Sequence, residues 1–207
     1  MGLASAVVNW YKYGQLSGRG ISPAHDFMNA EIERVKKLLG AAEKARQQKQ
    51  FKEAKRDLIS ALAISRLIQH VDLRSQALND LAGIERDLGN IIPAIAGYMK
   101  LVKLCQKHNN KCSMADAYRH MAEIYLEADH LKKADSYYKK AIRIYSRIAP
   151  KNSLDLANTT RELALLKIKQ KKNQEALTFW KKTLELYQTN HVTERVKECE
   201  RWITKLR

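Results

Sequence analysis

Cys105, His108 and Cys112 form a Cys-x2-His-x3-Cys run, the densest group of soft ligands in the sequence. Thiolates and imidazoles are the ligand set of tetrahedral zinc, but a closed structural site needs four of them. The local sequence offers no fourth, and His120 fits no recognised zinc spacing, so neither a metal nor any other cofactor is expected. Buried or idle thiols are the plainer reading. Catalysis finds no better footing, because a nucleophile with its base, paired acids around a cleft or a phosphate-cradling glycine loop would each leave a pattern. Gly14, Gly18 and Gly20 are clustered but follow no strand, and the other glycines stand singly. No enzyme is expected.

Charge points to partners instead. The 207 residues carry 38 Lys and Arg against 22 Asp and Glu, a net charge of +16. Residues 131–207 hold 19 of the bases and 8 of the acids, which concentrates the positive field toward the C-terminus. Three cysteines in a chain of this length argue against a disulfide framework and for a reducing, cytoplasmic setting. No apolar run reaches the roughly 18–20 residues that cross a bilayer, so a soluble protein is expected. Residues 1–25 contain Lys12 and Arg19 but no acid, beside Val7, Val8, Trp10, Tyr11 and Tyr13. Two readings stay open for residues 1–21: an organelle-targeting segment, or an extension that is flexible or docked.

The elements that position any site are set by a repeat. Ala54, Ala94, Ala134 and Ala176 recur at spacings of 40, 40 and 42 residues, each followed four positions on by Leu58, Tyr98, Tyr138 or Trp180. Twelve positions before each marker stands Ala42, Ala82, Ala122 or Ala164. A small residue on each of two consecutive helices lets them approach closely, and the large one fills the space beside them. With 8 Gly and 3 Pro the chain is poor in helix breakers, so the expected class is all-α.

The apolar stripes predict four helical hairpins, over residues 22–69, 70–108, 111–149 and 152–188, and a last amphipathic helix over 192–206. Ser22 and Pro23 read as N-cap and first helical position. Breaks fall at Lys49-Gln50, Gly89-Asn90, Asp129-His130 and Lys172-Asn173, and Pro150 closes the third hairpin. Val196, Cys199, Ile203 and Leu206 share one face of the last segment, as suits a cap over the exposed end of a repeat array.

This pattern resembles the tetratricopeptide repeat family, best in Tyr118, Met121, Ala122, Tyr125, Ala134, Tyr138 and Ala141, and the likeness covers about residues 26–206. The long period is similar to that of kinesin light chains, whose repeats Leu78-Asn79-Asp80-Leu81-Ala82 also resembles, and to that of bacterial peptide-sensing regulators. Ala45 and Lys167 stand where the family usually has an aromatic, and Leu101 and Thr183 where it usually has alanine.

The resemblance implies a right-handed α-solenoid of antiparallel helix pairs whose first helices line a concave face. Projected onto this chain, that face carries Lys36, Glu43, Arg46 and Gln47, then Gln76, Asn79 and Arg86, then Asp116, Arg119 and Glu123, and then Asn158, Arg161 and Lys169. It implies a non-catalytic scaffold or adaptor holding an acidic peptide or a protein helix there, since Arg forks onto carboxylates and Asn pairs with backbone amides. Ordinary solvated helix surface is the plainer reading. Leu39 replaces the first lysine of the family's clamp for chaperone tails, so that clamp is not expected. Lys100, Lys139, Lys140, Lys181 and Lys182 occupy equivalent places on second helices, which the resemblance puts on the convex side. As a second-ranked reading they form a basic ribbon for nucleic acid or anionic membrane; otherwise they are a solvated face.

Overall fold

The computed structural model describes residues 23–148 and 154–207. The expected N-terminal extension, the three clustered glycines, Ser22 and Pro150 all lie outside the described residues. Every regular element among the described residues is a helix. In chain order these are α1 (Pro23–Gln47), α2 (Phe51–Leu67), α3 (Val71–Asp87), α4 (Ile91–His108), α5 (Lys111–Glu127), α6 (Leu131–Ile148), α7 (Leu154–Lys169), α8 (Asn173–Thr189) and α9 (Thr193–Lys205).

The described turns between them share one geometry. Lys49, Gln69, Gly89, Asn109, Asp129, Lys171 and His191 all have positive φ, from 54° to 74°. One residue beyond each, the backbone N–H closes back five residues, as in Gln50 to Ala45 at 2.8 Å, His130 to Tyr125 at 2.8 Å and Val192 to Tyr187 at 3.0 Å. This six-to-one closure satisfies orphan carbonyls at the helix end and reverses the chain within two or three residues. Only Gly89 adopts the left-handed conformation without a Cβ penalty; the others carry side chains through it.

The chain divides into two compact units, one ending at Gly97 and the other beginning at Tyr98. In the N-terminal unit α1 and α2 form a hairpin on which α3 packs. Val35, Leu39, Ala42 and Ala45 of α1 meet Ala54, Leu58 and Ala61 of α2 and Leu73, Ala77 and Ile84 of α3 in one buried cluster. Closer still, α4 meets α3 at Gly97, where an added Cβ would stand 2.8 Å from the Ala82 Cβ. Gly40 on α1 has nothing within 4 Å of such a carbon.

In the C-terminal unit Ala122 of α5 and Ala134 and Tyr138 of α6 pack against Leu163 and Leu166 of α7. Leu156, Ala157 and Ala164 of α7 and Ala176, Trp180 and Tyr187 of α8 continue the core to Cys199 and Ile203 of α9. Trp202 of α9 stacks on Trp180, ring centroids 5.8 Å apart. The last helix thus covers an apolar face of α8.

Lys167 is the departure that packing alone does not foretell. Its side chain is 1% exposed, and its ammonium reaches Asp135 of α6 at 2.6 Å and Glu175 of α8 at 2.7 Å. Burial pushes that ammonium toward deprotonation, but the two carboxylates outweigh it and hold its pKa above the ordinary lysine value. One cation therefore joins three helices where the family usually stacks a ring.

Two glycine substitutions should move stability in opposite directions in urea unfolding. Gly40→Ala gains about 0.5–1 kcal/mol of helix propensity, whereas at Gly97→Ala an overpacking cost of about 1–3 kcal/mol outweighs that gain. Lys167→Ala should cost about 3–5 kcal/mol, for the emptied volume and for the two carboxylates left without their cation. Lys167→Met refills the volume but not the charge, so it should keep a loss of about 1–3 kcal/mol; a Lys167→Met protein as stable as the unchanged one would contradict this account of the buried cation.

Candidate functional site

The projected first-helix residues fall on α1, α3, α5 and α7. In the N-terminal unit, Lys36 and Gln47 are exposed and Lys36 pairs with Glu33 at 2.7 Å. Glu43, Arg46 and Gln76 come together: with Ala42, Leu58, Asp80 and Ile84 they line a cavity of about 260 Å³. Arg46 lies across Gly83, where a Cβ would stand 3.0 Å from Nη1, and its Nε donates to Asp87 at 2.5 Å. Gly83 thus makes room for the guanidinium. Asn79 donates to Asp80 at 3.2 Å, and Arg86 is half-buried.

In the C-terminal unit most of the projected residues are held by internal bonds. The Tyr145 hydroxyl donates to Asp116, and the Tyr187 hydroxyl donates to Asn158 at 2.7 Å. These are one bond built twice, since each pair is 29 residues apart and the pairs are offset by one 42-residue repeat. Burial and the Asp116 carboxylate push Tyr145 far above the usual phenol range, and burial pushes Tyr187 up to about 12. Both remain donors at physiological pH. Arg119 donates to Glu123 at 2.6 Å and lies 3.2 Å from His120, whose ring stacks on Tyr98.

Arg161 is tied further. It reaches Glu198 of α9 through Nη2 at 2.6 Å and Nε at 3.0 Å, and Glu162 through Nη1 at 2.6 Å. A bidentate guanidinium–carboxylate pair of this kind positions the last helix on α7. The Arg161 bonds hold Glu198 below the usual carboxylate range, while burial pushes Glu162 above it. Lys169 is exposed and pairs with Asp129 at 2.6 Å. Arg119 and Arg161, both projected onto the first-helix face, thus each serve an intramolecular carboxylate.

The second-helix lysines differ among themselves. Lys100, Lys181 and Lys182 are exposed. Lys139 is also exposed but bonds Asp135 at 2.8 Å. Lys140 is half-buried, with its ammonium 4.6 Å from the Tyr137 ring centroid and 5.5 Å from that of Tyr118. Tyr137 in turn stacks on Tyr125 at 5.4 Å. These tyrosines pack against the core and lie beneath lysine ammonium groups.

Cys105 is buried in α4 and Cys112 is exposed in the first turn of α5. Among the described residues no three His, Cys, Asp or Glu side chains stand together as a metal-holding group. No described helix is long and apolar enough to cross a membrane.

No family model matches the sequence, and no curated protein matches it either. Solved structures do. The crystal structure of BtubC from P. vanneervenii is similar with a TM-score of 0.66 at 14% identity, over 90% of this chain and 91% of that one. The TPR-like repeats of a putative kinesin light chain from Podosopora anserina match with a TM-score of 0.62 at 16% identity, over 84% and 94%. The fold is that of tetratricopeptide-type repeats. A Rap protein complexed with competence and sporulation factor matches 99% of this chain with a TM-score of 0.69 at 16% identity, this chain spanning 52% of it.

The sequence reading missed the tyrosine bonds and the Arg161–Glu198 clamp. The recurrence of Tyr145 and Tyr187 in step with Asp116 and Asn158 was the available signal for the first. Nothing local marks Glu198 as a partner for a residue 37 positions earlier.

The two acids around Arg161 should respond oppositely to substitution. Glu198, with its lowered pKa, contributes stability that is full above the ordinary glutamate range and is lost as pH falls through its lowered value; Glu162, with its raised pKa, subtracts stability once ionised. Glu198→Gln should therefore cost about 1.5–3 kcal/mol at neutral pH, and Glu162→Gln should cost nothing or stabilise. Thermal unfolding followed from neutral pH down to about pH 3 should show the two variants converging.

Proposed function

We propose that this protein is a non-catalytic adaptor that holds a peptide or helical segment of a partner protein against its first-helix face. The cavity between α1 and α3 carries this reading, because Glu43, Arg46 and Gln76, projected from two successive first helices, converge on one recess. A concave, mostly preformed recess with a few placed polar groups is the usual form of a recognition site. The Rap protein crystallised with competence and sporulation factor shares the fold, which supports a scaffold that takes a guest. The proposal of an acidic guest rests on Arg46, Arg119 and Arg161, each of which would have to exchange an internal carboxylate for the partner's. That cost makes acid recognition modest in strength.

A second reading, a basic surface for nucleic acid or anionic lipid, keeps Lys100, Lys181 and Lys182 as its exposed members. Lys139 and Lys140 are occupied by Asp135 and by tyrosine rings, so the ribbon reading ranks second here.

Immobilised protein should retain a partner from native extract, identified by mass spectrometry and then titrated by calorimetry. Gln47→Trp together with Gln76→Trp, two bulky and uncharged additions at exposed first-helix positions, should weaken that binding by about ten-fold or more with the helical circular dichroism intact. Unchanged affinity in the double variant, with binding lost instead in Lys181→Gln and Lys182→Gln, would transfer the function to the second helices.

A further inference from the structure

The outward face of α2 is apolar where the matching face of the other second helices is largely charged. Ile59, Ala63 and Leu67 follow one another at four-residue steps and so share one ridge. Ile59 is 55% and Leu67 49% exposed, and Ala63 between them is exposed too. The repeat spacing carries these three positions to Lys139, Arg143 and Arg147 on α6, and to Lys181, Glu185 and Thr189 on α8. On α4 they become Met99, Lys103 and Lys107. Isolated exposed apolar residues are ordinary. Three in register, in a chain whose other repeats put charges at that register, mark an interaction surface.

We propose that this ridge docks an acidic amphipathic helix of a second protein, distinct from the guest segment held on the first-helix face. The inference goes beyond the first-helix reading and does not depend on it. Large, small and large side chains at four-residue steps are the relief on which another helix packs, with its own large side chain seated over Ala63. Arg56 and Lys52 continue the same face one and two turns before Ile59, and Arg66 borders it. All three bases are exposed, and Glu53 is the one exposed acid of α2; Arg56 also donates to the half-buried Asp57 at 3.2 Å. The docked helix therefore carries apolar residues against Ile59 and Leu67 and acids against Lys52 and Arg66. A second copy of this chain would bring a further net charge of +16, which like-charge repulsion disfavours. A bilayer would find two large side chains on a ridge only about 12 Å long, too narrow for an interfacial anchor.

The test uses the full-length protein and two fluorescein-labelled peptides of about five helical turns, built from the same leucines, glutamates and alanines. In one the leucines fall at three- and four-residue steps on a single face; in the other the order is scrambled. Fluorescence anisotropy at about 0.15 M salt, where charges are screened beyond about 8 Å, should show saturable binding of the amphipathic peptide, about ten-fold or more tighter than that of the scrambled one. Ile59→Gln together with Leu67→Gln, which leaves the charge unchanged, should remove that difference, while the guest of the first-helix face is still retained from extract. Ile59→Gln alone, at the more exposed position, reads the same loss in part if the double variant folds poorly. Equal binding of the two peptides, or a difference that survives in the variants, would overturn the docking site. Tighter binding of an amphipathic peptide with lysines in place of its glutamates would overturn the acidic partner. Vesicles of phosphatidylserine bound by the unchanged protein and released by the variant would make the ridge a membrane contact, and self-association in sedimentation lost in the variant would make it a dimer face; either would overturn the proposal. Its failure leaves the first-helix reading standing, since the two rest on different helices.

Discussion

Everything in this molecule hangs on a turn of fixed size. Residues 49, 69, 89, 109 and 129 take the left-handed conformation at intervals of twenty, and residues 171 and 191 keep the same interval in the last repeat. Because each described turn closes by the same six-to-one hydrogen bond, the two helices it joins meet in the same rotational phase. Similar helix lengths, 16 to 18 residues from α2 to α8, then return each small residue to the same place against its neighbour, which is why Ala42 and Ala54, or Ala122 and Ala134, can sit in shared buried clusters. Turn geometry sets the phase, and the alanines exploit it.

Given that phase, the two units resolve their polar groups differently. The N-terminal unit leaves a recess between first helices, with an arginine parked on a glycine at its edge. The C-terminal unit spends the equivalent side chains on itself, through tyrosine hydroxyls to Asp116 and Asn158 and through Arg161 to the last helix. A scaffold's partner-facing surface has to be rigid before it can be selective, since ordering mobile side chains costs affinity. Internal pairing on α5 and α7 supplies that rigidity.

Much of this was legible in residue types. The alanine markers and their bulky followers announce helix pairs, and Val196, Cys199, Ile203 and Leu206 announce a capping face, because burial imposes a period that sequence displays directly. The left-handed turns were legible at Gly89 and in part at Asn109, Asp129 and His191, residue types that enter that region more readily; lysine and glutamine carry no local sign of positive φ, and tertiary closure forces it on them. Lys167 read as an irregularity because its two carboxylate partners lie 32 residues before it and 8 after. The site was half legible. Register placed Glu43, Arg46 and Gln76 on one face, but whether an arginine meets a guest or its own glutamate depends on distances between helices, which spacing does not encode.

The central claim is that the first helices, and not the second, meet the partner. A photo-crosslinking amino acid placed singly at Gln47, Gln76 and Asn158, and in parallel at Lys100, Lys181 and Lys182, tests it on the intact protein in native extract. The account predicts partner adducts from the α1, α3 and α7 positions and none from the α4 and α8 positions. Adducts arising from Lys100, Lys181 and Lys182 alone would contradict it.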